Sequence, residues 1–125
     1  MKLHGLTGAI IVLVVATSAA ASDKGDAKRG KRDFIQCAGC HAVEPGHSSR
    51  LGPTLAGVYD SKAASRPDYV YSDALMRSEL VWNHKALDQW LEGPSRMVPG
   101  TKMAVAGIPK PRVRKDLIAY LKTLR

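Results

Sequence analysis

The clearest periodicity in the chain lies near its end. Val113, Leu117, Tyr120, Leu121 and Leu124 fall at i, i+4, i+7, i+8 and i+11, one apolar stripe at helical period. This spacing predicts a helix over residues 112–124, with Pro111 in its first turn and Arg112, Lys115, Asp116 and Lys122 facing away. A second helix is predicted over residues 26–36, capped by Asp26 or Asp23, with Gly30 and Phe34 one turn apart on a shared face. Glycine weakens a helix interior by about 1 kcal/mol relative to alanine. Gly30 therefore reads as the place where another helix crosses closely, and the C-terminal stripe supplies that helix. A third helix is expected over residues 84–91, with Asn83 to cap it and Gly93-Pro94 to end it. A shorter helical turn begins at Ser72-Asp73 and runs through Leu75-Met76. No strand runs are found to build a sheet, so the fold class is all-α.

Two stretches depart from this pattern. Between residues 44 and 70, Pro45, Gly46, Gly52, Pro53, Gly57 and Pro67 predict mostly loop. A loop of that length is unusual in a compact domain unless it wraps something. At the other extreme, residues 5–21 form an uncharged run rich in Ile, Val, Leu and Ala, preceded by Lys2 and closed by Ala19-Ala20-Ala21. A positive start, a short apolar stretch and small residues at the end read as a secretory signal over residues 1–21, cut before Ser22. The alternative is an uncleaved membrane anchor, for which the run is short and diluted by Thr7, Gly8 and Ser18.

Cleavage leaves residues 22–125, enough for one domain. A domain so small has limited surface to bury, and a large buried cofactor would supply much of its core. The formal net charge is +8, with 19 basic and 11 acidic side chains, and becomes +7 once Lys2 is removed. A basic balance favours acidic partners: nucleic acid, a membrane surface or an acidic protein face. Export and the scattered placement of the basic residues argue against nucleic acid.

The only cysteines are Cys37 and Cys40. A disulfide closing so small a loop would stabilise almost nothing. Cys37-Ala38-Gly39-Cys40-His41 is instead C-x-x-C-H, the attachment motif of a c-type haem. Two thiols at this spacing reach the two vinyl groups on one edge of the porphyrin, and the adjacent histidine falls under the iron. A thioredoxin-like pair would need a helix within an α/β fold. A zinc site would need two more ligands, and His4, His47 and His84 show no ligand spacing. Met103, after the turn-forming Pro99-Gly100, is the candidate for the open face of the iron. Met76 and Met97 lack such a turn and read as core filler.

With these motifs assembled, the sequence resembles the class I cytochromes c of the mitochondrial and bacterial periplasmic type. The resemblance covers residues 25–124. It rests on Gly30 and Phe34, the C-x-x-C-H motif, Gly52-Pro53, Tyr71-Ser72-Asp73-Ala74, Trp82, Pro99-Gly100-Thr101-Lys102-Met103 and Asp116-Leu117-Ile118-Ala119-Tyr120-Leu121. It implies a fold in which the N- and C-terminal helices cross and loops wrap one covalently bound haem c. It also implies that Cys37 and Cys40 attach the haem and that His41 and Met103 ligate the iron. The Pro53 carbonyl would accept the ring N–H of His41. Tyr71, Ser72, Trp82 and Thr101 would donate hydrogen bonds around the propionates or the buried inner face. Some positions depart from the family. Trp90 stands where a tyrosine commonly hydrogen-bonds the methionine sulfur, and Ser61 where many members carry an arginine near a propionate, a place that Lys62 or Arg66 would have to fill. Ser49 replaces a histidine that bridges two loops in some members, and Val105 an aromatic near the exposed haem edge.

Histidine on one face and methionine on the other leave the iron no position for substrate. The expectation is a non-enzymatic, monomeric, periplasmic one-electron carrier between redox proteins. Its partners would be an oxidase, reductase or dehydrogenase with an acidic docking face. By resemblance, Lys102, Arg96 and Lys110 lie near the haem edge that meets them. The alternatives are a dedicated subunit of one periplasmic dehydrogenase, or a ligand-binding or peroxidase-like protein if the methionine bond is weak.

Overall fold

The computed structural model describes Met1 and residues 24–125; apart from Met1, the signal segment read over residues 1–21 lies outside the described residues. Among the described residues five α-helices follow in order: α1 (Ala27–Asp33), α2 (Asp73–Arg77), α3 (His84–Glu92), α4 (Pro94–Met97) and α5 (Pro111–Leu121). Asp26 caps α1 as expected, its carboxylate accepting the N–H groups of Lys28 and Arg29 at 2.8 and 3.0 Å. The helix expected to run to residue 36 instead tightens into a 3₁₀ turn over Phe34–Gln36. Such tightening gives the last carbonyls of a helix nearby donors. The amides of Cys37 and Ala38 both bond to the Phe34 carbonyl here, at 2.8 and 3.1 Å.

The helix starting at Pro111 ends at Leu121, three residues early, but turn hydrogen bonds through Lys122, Thr123 and Leu124 keep Leu124 on the apolar stripe. One side chain overturns the expected polar face. Asp116 is fully buried. Its carboxylate takes Arg29 at 2.7 and 2.9 Å, Arg112 at 3.0 Å and the backbone N–H of Asp26 at 2.7 Å. A charge can be buried when it is paired and hydrogen-bonded to this degree. Arg114 is buried too, tied to Asp88 at 2.7 Å and to the Ile108 carbonyl at 2.8 Å.

Helices α1 and α5 pack against each other at Gly30. A Cβ there would run into the Asp116 carbonyl and the Tyr120 side chain, so only glycine allows the close approach. One turn on, the rings of Phe34 and Tyr120 meet edge-on at 5.3 Å. Asn83 caps α3 through the Ala86 N–H at 2.9 Å. Pro94 does more than stop α3: it opens the single-turn helix α4, where its missing N–H would have had no partner.

The stretch from Glu44 to Val70 contains no helix and is held at many points. Leu55 N–H bonds the Ala42 carbonyl at 2.9 Å, Thr54 Oγ1 donates to Glu44 O at 2.6 Å, and Gly57 N–H bonds Leu124 O at 3.1 Å. An isolated antiparallel bridge between Lys62 and Val81 is the sole β pairing among the described residues. The buried core joins Phe34, Leu75, Trp82, Leu87, Trp90, Leu91, Leu117, Ile118 and Leu121. Met76, read as core filler, is half exposed on the outer side of α2. No helix among the described residues is long and apolar enough to cross a membrane.

Candidate haem site

Past Gln36 the chain makes tight turns, with the amides of Cys40 and His41 bonded to the Cys37 carbonyl at 3.1 and 3.0 Å. Cys37 is half-buried, Cys40 is exposed and both are free thiols. Burial, and secondarily the neighbouring Cys40, push the Cys37 thiol up. His41 Nδ1 lies 2.7 Å from the Pro53 carbonyl, as the Gly52-Pro53 motif implied. Burial depresses the imidazole's pKa, and the Pro53 contact opposes this only in part. A neutral ring donating Nδ1–H to a carbonyl keeps Nε2 as the metal-binding nitrogen. Gly52 makes the contact possible, because a Cβ at that position would sit 2.9 Å from the imidazole.

Ser49, at the position where a bridging histidine was noted, does join two segments. Its hydroxyl donates to Cys40 O at 3.0 Å and accepts the N–H groups of Leu51 and Gly52 at 3.1 and 3.2 Å. The opposite wall comes from the chain after α4. A turn closed by Thr101 N–H on Val98 O at 3.1 Å precedes Met103, whose own N–H points to Thr101 Oγ1 at 3.3 Å.

Between these walls lies a cleft in two communicating parts. The outer part, about 540 Å³, is bounded by Cys37, Cys40, His41, Pro53, Tyr71, Ser72, Thr101 and Met103. This falls in the roughly 300–1,000 Å³ range of small-molecule and cofactor sites. The inner part, about 100 Å³, adds Phe34, Trp82, Leu87, Trp90 and Leu117. Cys37, His41, Pro53, Tyr71, Leu75, Leu91 and Met103 line both. Cys37, Cys40, His41, Pro53, Tyr71, Ser72, Trp82, Trp90, Thr101 and Met103 therefore all line this cleft. Trp90 packs on Trp82 with ring centroids 5.1 Å apart. The inner wall also includes Leu75, Leu87, Leu91 and Leu117, none of them assigned to the site from sequence, although Leu117 lies on the predicted C-terminal stripe.

The hydroxyls are partly engaged. Ser72 Oγ caps α2 by accepting Leu75 N–H at 3.1 Å, and Tyr71 Oη accepts the Arg66 backbone N–H at 3.2 Å. Each keeps its own hydrogen to donate. Among the cations expected at the edge, Lys102 borders the outer cleft, reaches the Val70 carbonyl at 2.6 Å and stands over the Tyr69 ring. Arg96 and Lys110 do not border either part, and Arg96 pairs with Glu92 at 3.4 Å. Two thiols at one wall, a pre-oriented imidazole, a facing thioether and an apolar interior fit a covalently held haem.

A family model described as "Cytochrome c" matches residues 27–125. The chain belongs to the cytochrome c family. It is 43% identical to cytochrome c2 of Rhodomicrobium vannielii over 115 residues, 92% of each protein. To cytochrome c of Euglena viridis it is 47% identical over 102 residues, 81% of this chain and 99% of the relative. Among solved structures, cytochrome cH from Methylobacterium extorquens superposes with a TM-score of 0.75 at 46% identity, covering 79% of this chain and 99% of the other. As a cytochrome c, the protein is a non-enzymatic electron carrier with haem c attached through Cys37 and Cys40.

Proposed function

We propose that this cytochrome c is an exported, monomeric shuttle between redox proteins, with His41 and Met103 as axial ligands. The observation that carries the reading is the placement of both side chains on one cleft, with His41 Nδ1 held by Pro53 at 2.7 Å. Bound there, the haem supplies a one-electron ferric/ferrous couple. The chain's own residues set its surroundings. His41 is oriented by Pro53 and braced by Gly52, so that a single imidazole nitrogen is presented to a metal. Met103 offers a soft sulfur that favours the reduced state, and Trp82, Trp90 and the leucines exclude water, which acts in the same direction. Tyr71, Ser72, Trp82 and Thr101 provide donors around the cleft. With His41 and Met103 holding the haem, no place would be left for substrate and the group would supply electron transfer alone, and the net charge of +7 left after cleavage favours partners with acidic faces.

The test is the absorption spectrum of the oxidised and reduced protein. A weak long-wavelength band reporting sulfur on ferric iron is expected, and Met103→Ala should abolish it. A c-type haem without that band in the wild-type protein would mean an open or differently filled sixth position, and ligand binding or peroxide chemistry would replace electron carriage. Export is tested separately: N-terminal sequencing of protein recovered from the periplasm should begin at Ser22. Recovery of a membrane-bound form beginning at Met1 would identify residues 1–21 as an anchor.

A further inference from the structure

Haem c retains two carboxylate side chains on the edge of the macrocycle away from its thioether links. Carrying them into a partly buried cleft is costly unless cations or donors receive them. Among the described residues the outer part is lined by one lysine, Lys102 on the Met103 side, and by no arginine. The lining of the inner part includes Ser61, Lys62, Ser65, Arg66 and Tyr71, and a hydrogen bond joins Arg66 to the Tyr71 hydroxyl.

Within that group Arg66 is the cation held in place. Its Nη2 donates to the Ala56 carbonyl at 2.6 Å and lies 3.6 Å from where a Cβ on Gly57 would stand. Its backbone N–H is bonded to Tyr71 Oη at 3.2 Å, which sets the phenol beside it. One bond to Ala56 leaves the rest of the guanidinium fork without an acceptor. No carboxylate among the described residues pairs with it within salt-bridge distance. The nearest in sequence, Asp68, is taken by Ser48 through its N–H at 3.0 Å and its hydroxyl at 2.8 Å. Lys62 is exposed and lies on the bridge to Val81.

We propose that Arg66 receives one haem carboxylate through its free fork, with the Tyr71 hydroxyl as the second donor to the same group. Arg66 stands five positions beyond Ser61, so the cation reaches the cleft from a different loop position. The proposal rests on haem attachment at Cys37 and Cys40. Wild-type protein lacking c-type absorption bands would overturn both, whereas the following outcomes bear on Arg66 alone.

The experiment is potentiometry and resonance Raman spectroscopy of the haem-loaded protein, comparing wild type with Arg66→Gln, Arg66→Lys and Lys62→Gln. Loss of a cation beside the carboxylate leaves uncompensated negative charge near the iron and favours the ferric state. Arg66→Gln should lower the equilibrium constant for reduction about tenfold, which for one electron is about 59 mV. It should also shift the Raman band of the carboxylate side-chain bend. Arg66→Lys should keep most of the potential but move the band, since a point charge cannot reproduce the fork. Should Arg66→Gln fail to fold through loss of the Ala56 bond, Arg66→Lys still decides the matter by its Raman band. A purely structural role would lower the unfolding midpoint and leave the band unmoved, and that result overturns the proposal. So would the same pair of shifts in Lys62→Gln with none in Arg66→Lys.

Discussion

Asp116 and His41 show opposite ways in which a single polar side chain survives burial. Asp116 stays charged: the Arg29 guanidinium holds its carboxyl below the usual carboxylate range, with the Asp26 N–H and Arg112 adding to the effect and desolvation opposing it. His41 is pushed towards neutrality by burial, the state in which imidazole binds metal. For Asp116 the sign follows directly. A carboxyl whose folded pKa lies below its unfolded value of about 3.9 contributes stability above that value and loses it as the pH falls through the folded pKa. Wild-type protein should therefore lose stability in urea titrations as the pH drops below about 4, and Asp116→Asn should show a shallower dependence. At neutral pH Asp116→Ala should cost about 2 kcal/mol, because the Asp26 N–H loses its acceptor while the exposed arginines are rehydrated. A helical wheel assigned Asp116 to the outer face because it counts positions along one helix and knows nothing of a second helix lying across it. The His41–Pro53 contact was expected through the family resemblance that the Gly52-Pro53 motif carries, and the structure places the two atoms 2.7 Å apart.

At the scale of elements, the crossing of α1 and α5 depends on the absent side chain of Gly30. Because a Cβ would meet main-chain atoms of Asp116, neither helix can yield by moving a rotamer. Gly30→Ala should destabilise the protein by about 3 kcal/mol, read as a lowered thermal midpoint with the haem spectrum otherwise native. The gain in helix propensity, about 1 kcal/mol, works the other way and is the smaller effect. Periodicity and capping residues located α1, α3 and α5 to within a few residues. They missed α4, because Gly93-Pro94 is equally good punctuation for stopping one helix and starting another. They also missed the 3₁₀ turn at Phe34–Gln36, since tightening at a helix end leaves no mark on apolar spacing.

For the whole molecule the governing quantity is charge. A net +7 on the small protein that begins at Ser22 creates a field that steers acidic partners, and that field is screened within a Debye length of about 8 Å at physiological salt. Second-order rate constants with an acidic redox partner should fall as ionic strength rises, as stopped-flow measurements from low to high salt would show. A flat profile would mean that docking does not use this charge. Of the cations assigned to the edge from sequence, only Lys102 borders the cleft, so Arg96 and Lys110 contribute through the overall field.

The attachment motif and the periodic helices were readable from the chain alone, because each depends on spacing between near neighbours. C-x-x-C-H needs only one turn of chain, and an amphipathic stripe only a few. The tertiary structure decided what depends on residues far apart in sequence: the burial of Asp116 beneath Arg29, and the placing of Ser61, Arg66 and Tyr71 along one cleft. The first follows from the crossing of α1 and α5, and the second from a long helix-free stretch, Glu44 to Val70, tied back at Ala42, Glu44 and Leu124. Local propensity carries no information about where such ties close.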